Sequence, residues 1–271
     1  METILREFIY FDREKIEDFL SIIEDGLVKE ETEIQRNHGT KIKAEGGFKP
    51  IANIGGEKGY QDNELQKLKN STDASLFQRL YNHLTEKKMI KKVRSIDNKS
   101  WNQIKVGELL ELDANIEFSA LSLLIEKIVN LMEFMEMVGP ENVDDKTKEA
   151  MLGFKMLSHL SSKEGLNIKI TLTGNSRYKF VAILSPENIK GTKQELIGKY
   201  KVMCRVQKII RKNEKFELFK LIPGLELNKK MITDFLKIFD NLPPMFGKPP
   251  KIEDLQVSYP AMIITPIAVY R

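Results

Sequence analysis

Three histidines, one cysteine and a scatter of carboxylates are the residues of this chain suited to acid–base, nucleophilic or metal chemistry. His38, His83 and His159 stand far apart, and no pair has the i, i+4 spacing that puts two ligands on one helical face. Cys204 falls on the apolar side of an alternating segment, where a thiol is a small inert hydrophobe. No Gly-x-Ser-x-Gly elbow occurs. The run Gly55-Gly56-Glu57-Lys58-Gly59 is followed by Tyr60, not by the lysine and hydroxyl residue of a phosphate-binding loop. Glu14, Asp18, Glu24 and Asp25 read as solvated helix positions, without the burial that would push two carboxyl pKa values apart. No catalytic, cofactor-binding or metal-ligating residue is assigned, no cofactor is expected, and the reading leans away from an enzyme.

Basic residues carry the one positive signal. Lys87, Lys88, Lys91, Lys92 and Arg94 form one run, and Lys199, Lys201, Arg205, Arg211 and Lys215 fall on one segment. These ten are the candidate polyanion-binding residues, of the type that contacts phosphates. Aromatic interleaving for base stacking is thin, because Tyr81 and Tyr200 fall on faces assigned to the core.

The formal charge of +4 over 271 residues hides an alternation. Residues 1–10 carry −1, 11–35 carry −6, 36–105 carry +8, 106–166 carry −7 and 167–271 carry +10. Segregation of this kind creates local fields that the total conceals. With 41% apolar and 30% charged residues the chain has the composition of a globular protein, long enough to bury a sizeable core. A single cysteine fits a reducing compartment, and a cytoplasmic location is expected. The opening Met1-Glu2-Thr3-Ile4-Leu5-Arg6-Glu7 does not read as a signal peptide, and no run of about 18 uncharged apolar residues predicts a membrane span.

The elements that must position these residues follow from periodicity. Residues 4–11 read as a strand, and Asp12 as the N-cap of a helix with Ile16, Phe19, Leu20 and Ile23 on one face, stopping at Asp25-Gly26. A flexible glycine-rich insertion spans 36–72. A helix from Ser71-Thr72-Asp73 carries Phe77, Leu80, Tyr81 and Leu84 and runs into the basic segment 87–94. After a connector (101–107), a strand at 108–118 precedes helix 119–138, in which Ser119, Ser122, Glu126, Asn130 and Glu133 form one narrow polar stripe. Such a helix must be buried on two or more sides. A second Met-rich helix is expected at 144–160. Period-two alternation gives a hairpin from Ile168 to Leu184, and a second hairpin is expected over 199–221, turning at Lys212-Asn213-Glu214. Asn228 caps a further helix, Pro243 to Pro250 form a stiff linker, and the strand 262–270 contains Pro266, which suits an edge or a bulge. This pattern predicts an α+β fold of antiparallel hairpins with several packed helices. It has an N-terminal strand–helix portion (1–100) and a hairpin-and-helix portion (101–271) sharing one core.

The segment Ile9-Tyr10-Phe11-Asp12, the helix stop at Gly26, Ser75-Leu76-Phe77, the stretch Tyr200 to Val206 and the stretch Pro260 to Arg271 together resemble an uncharacterised bacterial family of domains of unknown function. The resemblance covers nearly the whole chain. It implies a shared fold and a bacterial cytoplasmic setting, and carries over no active-site residue.

The function expected is that of a non-catalytic cytosolic interaction or regulatory protein, self-associating through the Met-rich helices or binding another protein. The alternative is nucleic-acid binding through patches 87–94 and 199–215, in an accessory or defence system. No membrane partner is expected.

Overall fold

The computed structural model describes residues 6–24, 72–138, 165–222, 233, 236 and 251–271. His38, His159, the stop at Asp25-Gly26, the glycine-rich insertion before Thr72, helix 144–160, all of the helix after Asn228 except Thr233 and Leu236, and the Pro243–Pro250 stretch lie outside these residues. The chain forms two compact units, one of residues 1–11 with 90–271 and one of residues 12–89.

In the smaller unit, the Asp12 carboxylate accepts the Lys15 backbone N–H at 3.1 Å and pairs with the Lys15 ammonium, as expected of an N-cap. Helix α1 (13–24) buries Ile16, Leu20 and Ile23. Helix α2 (Asp73–Glu86) starts at Thr72, whose hydroxyl accepts the Ser75 N–H, and buries Leu76, Phe77, Leu80 and Leu84. Arg13–Asp73 and Arg79–Glu24 ion pairs link the two helices.

The larger unit corrects the expected fold class. It is built mostly of strands, and four helices occur among the described residues of the whole chain. Its strands are β1 (Phe8–Phe11), β2 (Ile90–Val93), β3 (Leu109–Phe118), β4 (Leu166–Leu172), β5 (Asn175–Leu184), β6 (Gly198–Ile210), β7 (Lys215–Glu217), β8 (Gln256–Ser258) and β9 (Ala261–Tyr270). Strands β3, β4 and β5 pair antiparallel in succession, and β6 returns beside β3. That arrangement is a Greek key. Strand β9 then pairs antiparallel with β6 and parallel with β5, so five strands close in the order β3-β4-β5-β9-β6. The result is a closed five-stranded Greek-key barrel of the OB type, not an α+β fold of packed helices.

Alternation along each strand sends one side chain in two into the barrel. Leu110, Leu112, Ala114 and Ile116 of β3 meet Ile168 and Ile170 of β4, Phe180 and Ala182 of β5, and Tyr200, Val202, Cys204 and Val206 of β6. Pro266 sits at a bulge: Met203 pairs with Ala268 but Cys204 with Pro266, leaving Ile267 as the extra residue. The bulge lets both Ile264 and Val269 join the interior cluster although they are five residues apart. A short helix, α3 (Asn98–Asn102), runs into the first two residues of the expected 101–107 connector. Its Trp101 joins the interior cluster with its ring 4.7 Å from Tyr178 and 5.8 Å from Phe180.

A second apolar cluster contains Leu121, Leu124 and Ile125 of helix α4 (Ala120–Val138). It joins them to Val181, Ile210, Ala261 and Ile263 of the barrel strands and to Leu218, Phe219, Leu255 and Val257 of the long connection between β6 and β9. Thus α4 is a core element over its first turns; of the five residues of the polar stripe Glu126, Asn130 and Glu133 are exposed, whereas Ser119 and Ser122 are buried. Helix α2 stops at Glu86 and, within the basic run it leads into, residues 90–93 form β2. One further expectation needs correction. Strand β6 turns at 211–214, as expected, but β7 pairs with β8 and not with β6, so 199–221 is no hairpin.

Candidate binding cleft

Beside the β4–β5 face of the closed barrel lie the start of α4, from the connection between the first and second barrel strands, and residues 253–257, from the connection between the fourth and fifth. A cleft of about 450 Å³ opens there. That size is within the range of ligand sites. Its floor is apolar, with Leu124, Val181, Leu218 and Val257 all buried and Leu123 of α4 44% exposed. Lys127 of α4, Lys169 of β4 and Lys179 of β5 supply positive charge, whereas Glu253 and Asp254 supply negative charge from a 3₁₀ turn (Ile252–Leu255). Glu117 of β3 stands 3.5 Å from Lys169.

Local geometry fixes each group. Lys169 and Lys179 project outward because Ile168, Ile170 and Phe180, their neighbours along the strands, point into the barrel. The first turn of α4 is anchored by Asn167, whose backbone carbonyl accepts the Ser119 N–H at 3.1 Å and the Ser122 hydroxyl at 2.7 Å. Ser119 caps the helix by accepting the Ser122 N–H at 3.2 Å. Asp254 accepts the Lys251 N–H at 3.0 Å, which holds the acidic turn. Among the described residues, neither Lys179 nor Glu253 takes part in an ion pair.

The ten basic residues singled out by sequence are distributed differently. Lys87 and Lys88 belong to the smaller unit, where Lys87 caps α2 and Lys88 follows in the left-handed region (φ 55°). Lys91 and Lys92 lie on β2, where charged side chains protect a sheet edge. Lys91 donates to both Glu108 oxygens at 2.7 Å. Burial raises the Glu108 carboxyl, but the hydrogen bonds from Lys91 and the Lys105 N–H, with both positive charges, outweigh it and hold the group below its ordinary value. Arg94 pairs with Asp113 at 3.0 Å. Lys199, Lys201 and Arg205 share the outer face of β6, but Lys201 stands 3.6 Å from the buried Glu111, and Met203 within the same row is buried. Arg211 lies in the turn after β6, and Lys215 is exposed on β7. The Glu214 carboxyl is held low by hydrogen bonds from Lys208 and the Arg211 N–H. So the structure places Lys92, Arg94, Lys199, Lys201 and Arg205 on or beside the β2–β3–β6 wall, interleaved with acids, and keeps Lys87 and Lys88 in another unit.

Cys204 is fully enclosed, and burial pushes its thiol far up. Among the described residues no group of three His, Cys, Asp or Glu could hold a metal ion. No described helix is long and apolar enough to cross a membrane.

A family model described as a domain of unknown function (DUF6414) matches residues 5–270. The chain belongs to this family. No curated protein and no solved structure matches it. The family therefore supplies a fold-scale relationship over nearly the whole chain and no assigned chemistry. What the sequence missed is the cleft itself: Lys169 and Lys179 were visible as polar positions of an alternating hairpin, but nothing local joined them to Glu253 and Asp254.

Proposed function

We propose that this chain is a non-catalytic interaction protein, and that its barrel holds a partner protein in the cleft between α4, β4–β5 and the 252–257 segment. The observation that carries this reading is one apolar floor rimmed by lysines on one set of elements and carboxylates on another. OB-type barrels bind oligonucleotides and oligosaccharides on the face of their second and third strands, so they share the place of this cleft and not the class of its occupant. That likeness of place is analogy, and the residues carry the weight. A random-peptide display library selected against the full chain tests the reading. Leu123 is partly exposed, so Leu123→Arg leaves the barrel folded and blocks the floor. Selected peptides are expected to lose binding to Leu123→Arg. An empty selection, or binders indifferent to that change, overturns the reading.

Self-association is the form of this reading in which the partner is a second copy. Leu123 and Met137 are the exposed large apolar residues of α4 among those described. Light scattering at several concentrations is expected to show a concentration-dependent mass, and a strict monomer removes this form.

A second reading, nucleic-acid binding, is favoured by Lys199, Lys201 and Arg205 standing on one outer face of β6. A labelled 20-residue single-stranded DNA and its duplex are the probes. Anisotropy is expected to show affinity falling steeply with salt and falling again in Lys199→Glu/Arg205→Glu. No binding at low salt removes it.

A further inference from the structure

Resting on the cleft reading, we infer that the occupant is an extended segment of another protein presenting an acidic, an apolar and a basic side chain to the cleft. The acidic position is set by Lys179. Its ammonium has no ion pair among the described residues, whereas Lys169 beside it is paired with Glu117 at 3.5 Å. Ser119 and Ala120 of the first α4 turn line the same cleft. The positive end of a helix dipole adds to the lysines there. With Ser119 Oγ already taken by the Ser122 N–H, the N–H groups of Ala120 and Leu121 have no acceptor within the helix. The apolar position is set by the partly exposed Leu123 above the floor of Val181 and Val257. The basic position is set by Glu253, which has no ion pair among the described residues, beside Asp254, whose carboxylate already holds the Lys251 N–H.

Charge complementarity selects this occupant over a nucleic acid. A phosphate backbone drawn to the lysines would meet Glu253 and Asp254 within the same cleft, and like charges there are repelled. Base stacking finds little support either: Phe118 is the single aromatic ring among the lining residues, and it is partly buried against the barrel interior. An extended peptide carries apolar and oppositely charged side chains at short spacing, which is what the lining requires.

The test takes the peptide most enriched in the selection described above and follows it by fluorescence anisotropy with the full chain. The peptide is expected to contain the acidic, apolar and basic residues. Its affinity is expected to fall at least about tenfold in Lys179→Glu and in Glu253→Lys, each of which leaves the melting temperature unchanged. Replacing the peptide's acid by lysine is expected to restore binding to Lys179→Glu while weakening binding to the unaltered chain. If the peptide depends on Leu123 but ignores both charge reversals, the cleft reading stands and this inference falls. If no selected peptide depends on Leu123, the cleft reading itself falls. A single-stranded oligonucleotide, or a free zwitterionic amino acid, that competes as well as the peptide also overturns the inference.

Discussion

The β3–β6 wall and the β4–β5 face lie on one barrel and both carry charge, but in the cleft on the face an unpaired lysine and an unpaired carboxylate stand around one apolar floor. On the wall, Lys201 stands near Glu111, Arg94 on Asp113 and Lys91 on Glu108 at the start of β3, while Lys199 and Arg205 take part in no ion pair among the described residues. On the face, Lys179 and Glu253 line one cleft without an ion pair among the described residues. A paired surface charge contributes about 0–1 kcal/mol and has little left to offer a ligand. An unpaired charge beside an apolar floor is the kind a partner can complete. The contrast teaches that a basic stretch in the sequence is informative only once its cross-strand neighbours are known.

The strongest way to break the comparison is to remove the barrel that supports both surfaces. Trp101→Ala empties a site packed against Tyr178 and Phe180, and is expected to cost about 4 kcal/mol in urea unfolding. Both surfaces should fail together, and a loss below about 1 kcal/mol would mean that the ring is not part of the core. Leu124→Ala acts on one side only. It weakens the packing of α4 on the outer barrel layer, with an expected cost of about 3 kcal/mol and loss of peptide binding. Hydrogen exchange should show new opening at the start of α4 while the β3–β6 ladder stays protected.

Smaller effects sharpen the contrast. Lys201→Ala takes a partner from Glu111, which is only 4% exposed, and is expected to cost about 1 kcal/mol. Lys179→Ala is expected to change stability by less than about 0.5 kcal/mol. Equal costs for the two lysines would erase the distinction between paired and unpaired charge. The smallest effect concerns pH. The folded-state pKa of Glu108 lies below its ordinary value of 4.5, so the unfolded chain binds the proton first as the pH falls. Its stabilisation is complete above that value and is lost as the pH drops through the folded-state pKa. The urea midpoint should therefore decline below about pH 4.5, and decline less in Lys91→Ala.

Local elements were largely legible. Alternation located β3, the β4–β5 hairpin and β6, the Thr72-Asp73 signal located α2, and Pro266 marked a bulge. Cys204 and Tyr200 were rightly placed in the core. Closure was not legible. The β3–β6 and β5–β9 pairings join strands about ninety residues apart, and no local pattern specifies which distant strand completes a ladder. For the same reason β7 read as the return of β6, although its partner β8 lies beyond residue 250. The cleft inherits this difficulty, because Lys169 and Lys179 meet Glu253 only through the fold. The division of the run 87–94 was not legible either: a turn at Lys87-Lys88 splits it between two units, and lysines on an edge strand have a structural use of their own.

The most direct measurement of the central claim is anisotropy of one selected peptide against three proteins: the unaltered chain, Lys179→Glu and Lys201→Glu. The expected result is a loss of at least about tenfold for Lys179→Glu and near-unchanged affinity for Lys201→Glu, because only the first charge is unpaired and in the cleft. Equal losses in the two variants, or a greater loss for Lys201→Glu, would contradict the account.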